Sequence, residues 1–275
     1  MNKKNSEPEI VHSRPKKRFG QNFLSDPGYA ARIVELAGIE PGDRVVEIGP
    51  GRGAITKLLA NTGCQVVALE VDRDLLTNLR DTFSSYDNVE VIETDALKFD
   101  FSTLEAKSNG KLKIVANLPY NVATPILFRL FEYRHLIERM VLMFQLEVAK
   151  RIVATPGGKD FGALSIFPQL YSDASLAFKL PPGAFFPAPK VFSAVLLFEI
   201  LENPRYEVRD IKMLERLVKA AFSQRRKKLS NSVKSLFTKG TNIDVLFAEA
   251  GVDASRRPEE LSIEEFCRLS DTFCV

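Results

Sequence analysis

Asn117 ends an apolar run, Ile114 to Ala116, and is followed at once by Leu118, Pro119 and Tyr120. A tight turn accounts for the proline. It does not account for an amide followed so closely by an aromatic. An exocyclic amine on a purine is a poor nucleophile because its lone pair is delocalised into the ring. The Asn117 side-chain oxygen and a backbone carbonyl, of Leu118 or Pro119, can accept both amine hydrogens. That would favour a more tetrahedral nitrogen with its lone pair free to attack a methyl group, so that positioning supplies most of the rate. Tyr120 offers a face for the base to stack on, worth roughly 1–3 kcal/mol per base.

A second cluster fits the same chemistry. Gly49, Gly51 and Gly53 lie between the run "VVEI" and the helical pattern "ITKLL". Glycine there lets the backbone turn sharply and a ligand come close. The spacing is G-x-G-x-G, one residue short of the G-x-G-x-x-G that aims a helix N-terminus at a pyrophosphate. A sulfonium cofactor without phosphates has no need of that aim. Glu70 ends the next apolar run, about twenty residues on, where an acid can accept ribose hydroxyls. Asp95 follows a third run and can accept the exocyclic amine of a cofactor's adenine. Either acid alone could simply cap a helix. Three such features at successive strand ends point instead to a nucleoside site.

The elements that must position these residues are legible as alternation. "RVVEIG" (44–49), "QVVALEV" (65–71), "NVEVIET" (88–94), "KIVANL" (113–118) and "MVLMFQ" (140–145) read as strands buried on both faces. Between them, "ITKLLANT" and "PILFRLFEY" carry apolar residues at helical spacing. This predicts an α/β fold, a doubly wound parallel sheet whose fourth strand lies beside the first across the switch point. Two further strands, "LAFKL" (176–180) and "SAVLLFEI" (193–200), flank a proline-punctuated loop, "PPGAFFPAPK". Beyond about residue 205 the patterns are helical, ending in a capping box, Ser262 with Glu265. The predicted organisation is a polar tail over 1–13, a Rossmann-like domain over 14–204 and a small all-helical domain over 205–275.

Composition bounds the rest. The chain has 275 residues, 45% hydrophobic, with net charge +3. That balance announces no nucleic-acid binder, so any basic surface must be local. Three scattered cysteines and two histidines argue against a metal site or a disulfide framework, and for a reducing cytoplasmic setting. No apolar run approaches a membrane span, and the N-terminus lacks a signal core.

As a set, the motifs resemble the ribosomal RNA adenine N6,N6-dimethyltransferases. The resemblance runs from about Lys16 to Leu236 through "KKRFGQNFL", "EIGPGRGAIT", "ALEVD", "TDAL", "NLPYNVATPI", "FFPAPKVFSAV" and "FSQRRKKLSNSV". It implies S-adenosyl-L-methionine as methyl donor and, as target, two adjacent adenosines in the 3′-terminal hairpin loop of small-subunit rRNA, late in subunit assembly. By position it implies Asn22, Leu24, Gly49, Glu70, Asp95 and Asn117 as cofactor contacts, with Gly51 in the same loop. It gives Phe185 as the second ring sandwiching a flipped adenine against Tyr120, Phe186 being the alternative. The usual "GDAL" is "TDAL" here, which leaves the acid in place.

Two acid-free basic runs fit an RNA partner. One holds Arg14, Lys16, Lys17 and Arg18. The other holds Arg216, Lys219, Arg225, Arg226, Lys227, Lys228, Lys234 and Lys239. Such runs also occur as plain solvated helix faces. As RNA contacts they would position phosphates without reading sequence, and the target base would have to leave its stack. Gly157, Gly158 and Gly162 mark either a mobile loop over the cleft or a tight turn. The chain is expected to act as a monomer. Competing readings are an NAD-dependent oxidoreductase, a large-subunit rRNA methyltransferase of the antibiotic-resistance type, and an assembly factor without chemistry. The glycine spacing, with no evident catalytic His or Tyr-x-x-x-Lys, disfavours the first. The intact "NLPY" disfavours the last.

Overall fold

A computed structural model describes residues 15–16, 20–107, 110–224, 227–238 and 241–274. The chain divides into two compact units. The first runs through Leu146 and adds Ser175–Ile200; the second is Glu147–Ala174 with Leu201–Val275.

The strands are β1 (Phe23–Leu24), β2 (Arg44–Ile48), β3 (Gln65–Glu70), β4 (Val89–Glu93), β5 (Leu112–Asn117), β6 (Ile137–Gln145), β7 (Ser172–Leu180), β8 (Phe185–Phe186) and β9 (Ser193–Ile200). Seven of them form one sheet in the order β4-β3-β2-β5-β6-β9-β7. From β4 through β6 neighbours are parallel, and β9 joins β6 antiparallel. Every residue of β2 is buried, as its unbroken apolar pattern requires of a central strand covered on both faces. The chain order reverses at β2, with β3 on one side and β5 on the other. This is the predicted switch point, and it sets the end of β5 beside the loop that leaves β2.

Among the described residues, four α-helices lie wholly in this unit: α1 (Pro27–Ala37), α2 (Ala54–Ala60), α3 (Arg73–Thr82) and α4 (Ala123–Glu132). Asp26 caps α1 by accepting from the backbone N–H groups of Gly28 and Tyr29, and Gly38 ends it in the left-handed region. Asp72 caps α3. The loop "PPGAFFPAPK" holds a 3-10 turn over Pro182–Ala184 and then β8, which pairs antiparallel with β1. Two residues carry no periodicity, so neither strand was visible in the sequence.

The second unit holds α5 (Leu146–Ile152, from Glu147 on), α6 (Ala163–Tyr171), α7 (Ile211–Ser223), α8 (Leu229–Val233), α9 (Ile243–Glu249) and α10 (Ile263–Thr272). The sequence reading drew one boundary near residue 205; here 147–174 also groups with the helical unit. Aromatic packing explains it: Phe161 meets Phe222 edge-on with ring centres 6.3 Å apart, and Phe222 lies 5.7 Å from Phe266. The glycines at 157 and 158 form the turn alternative. Gly157 N–H donates to Glu259 O at 2.7 Å, and Phe161, fully buried, donates back to Gly158 O. The capping box of α10 is present, Glu265 N–H donating to Ser262 Oγ and Ser262 N–H to Glu265 Oε2. In the helical stretch beyond residue 205, α8 is followed directly by a 3-10 turn over Lys234–Leu236. Among the described residues no helix is long and apolar enough to cross a membrane.

Candidate active site

A cavity of about 250 Å³ opens at the C-terminal ends of β2, β3, β4 and β5. Asn22, Leu24, Gly49, Gly51, Glu70, Asp95, Asn117, Leu118, Pro119 and Tyr120 all line it. The fold thus gathers the candidates for catalysis and cofactor binding into one place, with the exception of Phe185.

The glycines are needed for two reasons. All three have positive φ: 70° at Gly49, 60° at Gly51 and 81° at Gly53. A Cβ on Gly51 would stand 2.9 Å from Phe23 Cδ1, and one on Gly53 would stand 2.9 Å from Phe83 Cε2. The loop is therefore bare because neighbouring rings pack onto it, and the bareness also leaves backbone at the cavity wall.

Glu70 is 5% exposed. Its Oε1 accepts the backbone N–H groups of Val71 and Asp72, each at 2.9 Å. Burial pushes its carboxyl up from the ordinary value, while backbone N–H groups of Asp72, Val71 and Gly51 pull the other way. Asp95 Oδ1 accepts from Leu97 N–H at 3.0 Å. Two carboxylates at adjacent strand ends are the acceptors that ribose hydroxyls and an adenine amine require, so the residues present fit a nucleoside cofactor.

Asn117 is set by its neighbour. Its Nδ2 donates to Asn22 O at 3.1 Å. A carbonyl can only accept, so the amide nitrogen must face it, which leaves Oδ1 as the acceptor end of the side chain. Asn22 Nδ2 in turn donates to Gly20 O. Pro119 O accepts Val122 N–H at 3.0 Å. Tyr120 is half-buried, and its hydroxyl shares a 2.6 Å hydrogen bond with Ser193 Oγ. Burial raises the phenol above its usual range, so it stays neutral.

Phe185 departs from the reading. It is 4% exposed, sits in the core with Leu24, Ala30 and Ile33, and does not line the cavity. Side chains alternate across a strand, so burying Phe185 turns Phe186 outward, where it is 56% exposed. Lys16 departs as well: its Nζ lies 2.6 Å from both Asp72 Oδ1 and Asp74 Oδ2. Lys227, Lys228 and Lys234 are exposed on the second unit. Lys17, Arg18, Arg225, Arg226 and Lys239 lie outside the described residues.

Two wall residues escaped the sequence reading. Arg52 places its guanidinium 4.7 Å from the centre of the Phe23 ring and 5.6 Å from that of Phe186, cation–π contacts joining the glycine loop to β1 and β8. An arginine inside "GPGRG" was the available signal. Glu47 is 1% exposed and accepts from Thr56 Oγ1 at 2.6 Å. Burial, partly opposed by Thr56, pushes its carboxyl from 4.5 up to about 8. Unfolded, the same group ionises near its ordinary value. Between those two pH values the folded state binds more protons, so this group's share of stability falls as pH rises and is lost by about pH 8. Glu47→Gln keeps a neutral acceptor for Thr56. In urea melts of the ligand-free protein it should match the parent near pH 5 and exceed it above pH 8, by on the order of a few kcal/mol. A difference that does not change with pH would mean that Glu47 is already ionised in the folded state.

A mixed sheet whose parallel part reverses at β2, with a cavity at the switch point and an amide beside the glycine loop, is the arrangement of a Rossmann-like S-adenosylmethionine-dependent methyltransferase. Residues 12–274 match the profile described as ribosomal RNA adenine dimethylase, and the chain belongs to that family. It is 45% identical over 260 residues to the ribosomal RNA small subunit methyltransferase A of Syntrophotalea carbinolica, covering 94% of this chain and 97% of that one. It is 45% identical over 264 residues to the protein of the same name from Pseudomonas syringae pv. tomato, covering 96% of each. Among solved structures, the 23S rRNA methyltransferase ErmE superposes with a TM-score of 0.70 at 25% identity, over 92% of this chain and all of that one. A dimethyladenosine transferase from Plasmodium falciparum shares the fold, with a TM-score of 0.76 at 24% identity over 90% of this chain and 95% of that one.

Proposed function

We propose that this protein methylates the N6 amines of two adjacent adenosines in the 3′-terminal hairpin loop of 16S rRNA, giving N6,N6-dimethyladenosine. Its setting is the cytoplasm, and its substrate the 30S subunit or its precursor late in assembly. S-adenosyl-L-methionine supplies an electrophilic methyl group. The observation that carries this reading is Asn117, which lines the cavity at the end of β5 with its Nδ2 donating to Asn22 O.

In this reading Glu70 and Asp95 hold the cofactor's ribose and adenine. Asn117 Oδ1 and Leu118 O accept the target amine's hydrogens, and Tyr120 stacks on the base. Phe186 is the exposed ring available for the other face of a nucleobase. Each transfer forms one N–C bond, breaks one S–C bond and releases one amine proton. A carboxamide and a neutral phenol are not bases near pH 7, so the proton leaves to solvent and positioning carries the rate. Lys227, Lys228, Lys234, Arg225 and Arg226 supply phosphate contacts.

The likeness to ErmE makes large-subunit RNA the rival substrate, whereas the 45% relatives bear a small-subunit name. Incubation with labelled S-adenosylmethionine and either unmethylated small subunits or large-subunit RNA decides between them. Label is expected in the small subunit alone; label in 23S RNA alone would overturn the proposed substrate.

A further inference from the structure

Lys16 opens the basic run that reads, in sequence, as an RNA contact. The structure gives it another job. Its ammonium is bonded to Asp72 Oδ1 and paired with Asp74, both at 2.6 Å. Its backbone N–H donates to Gln21 Oε1 at 2.8 Å, and Gln21 Nε2 donates to Asp72 Oδ2 at 2.9 Å. Both carboxylate oxygens of Asp72 are thereby taken up by residues of the N-terminal strap. The Asp72 side chain is only 3% exposed. Its own backbone N–H donates to Glu70 Oε1. A continuous chain of bonds therefore runs from Lys16 and Gln21, through Asp72, to the acid proposed to hold the cofactor's ribose.

The strap is also a wall. Gly20, Gln21, Asn22, Phe23 and Leu24 line the cavity. On its C-terminal side the strap is fastened by the β1–β8 pairing and by Arg52 over Phe23. On its N-terminal side, among the described residues, it is fastened by Lys16 and Gln21. Local charge argues against a phosphate there. One ammonium faces two carboxylates, so an RNA phosphate brought to Lys16 Nζ would also meet Asp72 and Asp74.

We infer that Lys16 and Gln21 form a clasp on Asp72 that holds the strap against the bound nucleoside cofactor, making Lys16 a positioning residue for cofactor retention and not an RNA contact. This rests on the cofactor reading given under Proposed function. Releasing the clasp frees one edge of the cavity wall, so the cofactor should leave faster while RNA binding is untouched.

Lys16→Met, Asp72→Asn and the double variant test it. Asparagine still caps α3, and melting curves confirm that each variant folds. S-adenosylmethionine affinity and dissociation rate are measured by calorimetry and stopped flow. Affinity for unmethylated small subunits is measured without cofactor at two salt concentrations. Lys16→Met should raise the cofactor Kd about three- to tenfold, mainly through dissociation. It should add less in the Asp72→Asn background, where only the Asp74 pair and a neutral acceptor remain to be lost, and leave RNA affinity and its salt slope unchanged. A fall in RNA affinity with a shallower salt slope, or an unchanged cofactor Kd, overturns the clasp. If the parent protein itself binds no S-adenosylmethionine, the cofactor reading fails and not the clasp alone.

Discussion

Asn117→Ala is expected to lower the methyl-transfer rate at saturating substrates by about 10²–10³-fold, the scale for removing one preorganised polar group from a transition state. The variant should stay folded, because Asn117 is half-buried at a strand end and the core of β5 lies before it. Two losses combine. The oxygen that would accept the amine hydrogen goes, and so does the Nδ2 donor that holds Asn22 O. Asn117→Asp separates them. It keeps an oxygen toward the substrate but sets a second acceptor against Asn22 O, so the strap should loosen and cofactor affinity fall along with rate. Single-turnover kinetics with the cofactor Kd measured alongside reads both. An Asn117→Ala enzyme retaining more than about a tenth of parental rate would remove Asn117 from the chemistry.

The second large effect distinguishes two neighbouring rings. Phe185→Ala should destabilise the protein by about 3–5 kcal/mol, the usual loss for deleting a core phenylalanine, because Phe185 is packed among Leu24, Ala30, Ile33 and Val195. Phe186→Ala removes an exposed ring and should leave the melting curve almost unchanged. Its cost should fall on substrate RNA, about 1–3 kcal/mol if the ring stacks on a base, read as a higher KM for small subunits. The opposite result, with Phe185→Ala stable and defective only toward RNA, would restore Phe185 as the stacking residue.

Much of this site was readable because its parts obey short rules. Strands buried on both faces write themselves as unbroken apolar runs, so β2 through β6 could be placed within a few residues. The switch-point rule then put Asn117 beside the glycine loop before any coordinates. What stayed hidden depends on contacts distant in sequence. Lys16 looks basic and free until Asp72 and Asp74 are folded against it. Phe185 and Phe186 are indistinguishable in composition; only the register of β8 on β1, Leu24 opposite Phe185, decides which ring is buried. Glu47 reads as a polar residue in a strand, and its raised carboxyl follows from complete burial in β2 with Thr56 as partner. The helical unit drew in 147–174 through Phe161, a contact that no local pattern announces.

The most direct test of the whole account is to treat unmethylated small subunits with the protein and S-adenosylmethionine, digest the 16S RNA and identify modified nucleosides by mass spectrometry with position mapping. The account predicts N6,N6-dimethyladenosine at two adjacent adenosines of the 3′-terminal hairpin, absent with Asn117→Ala. Dimethyladenosine elsewhere, or none despite measurable cofactor binding, would contradict it.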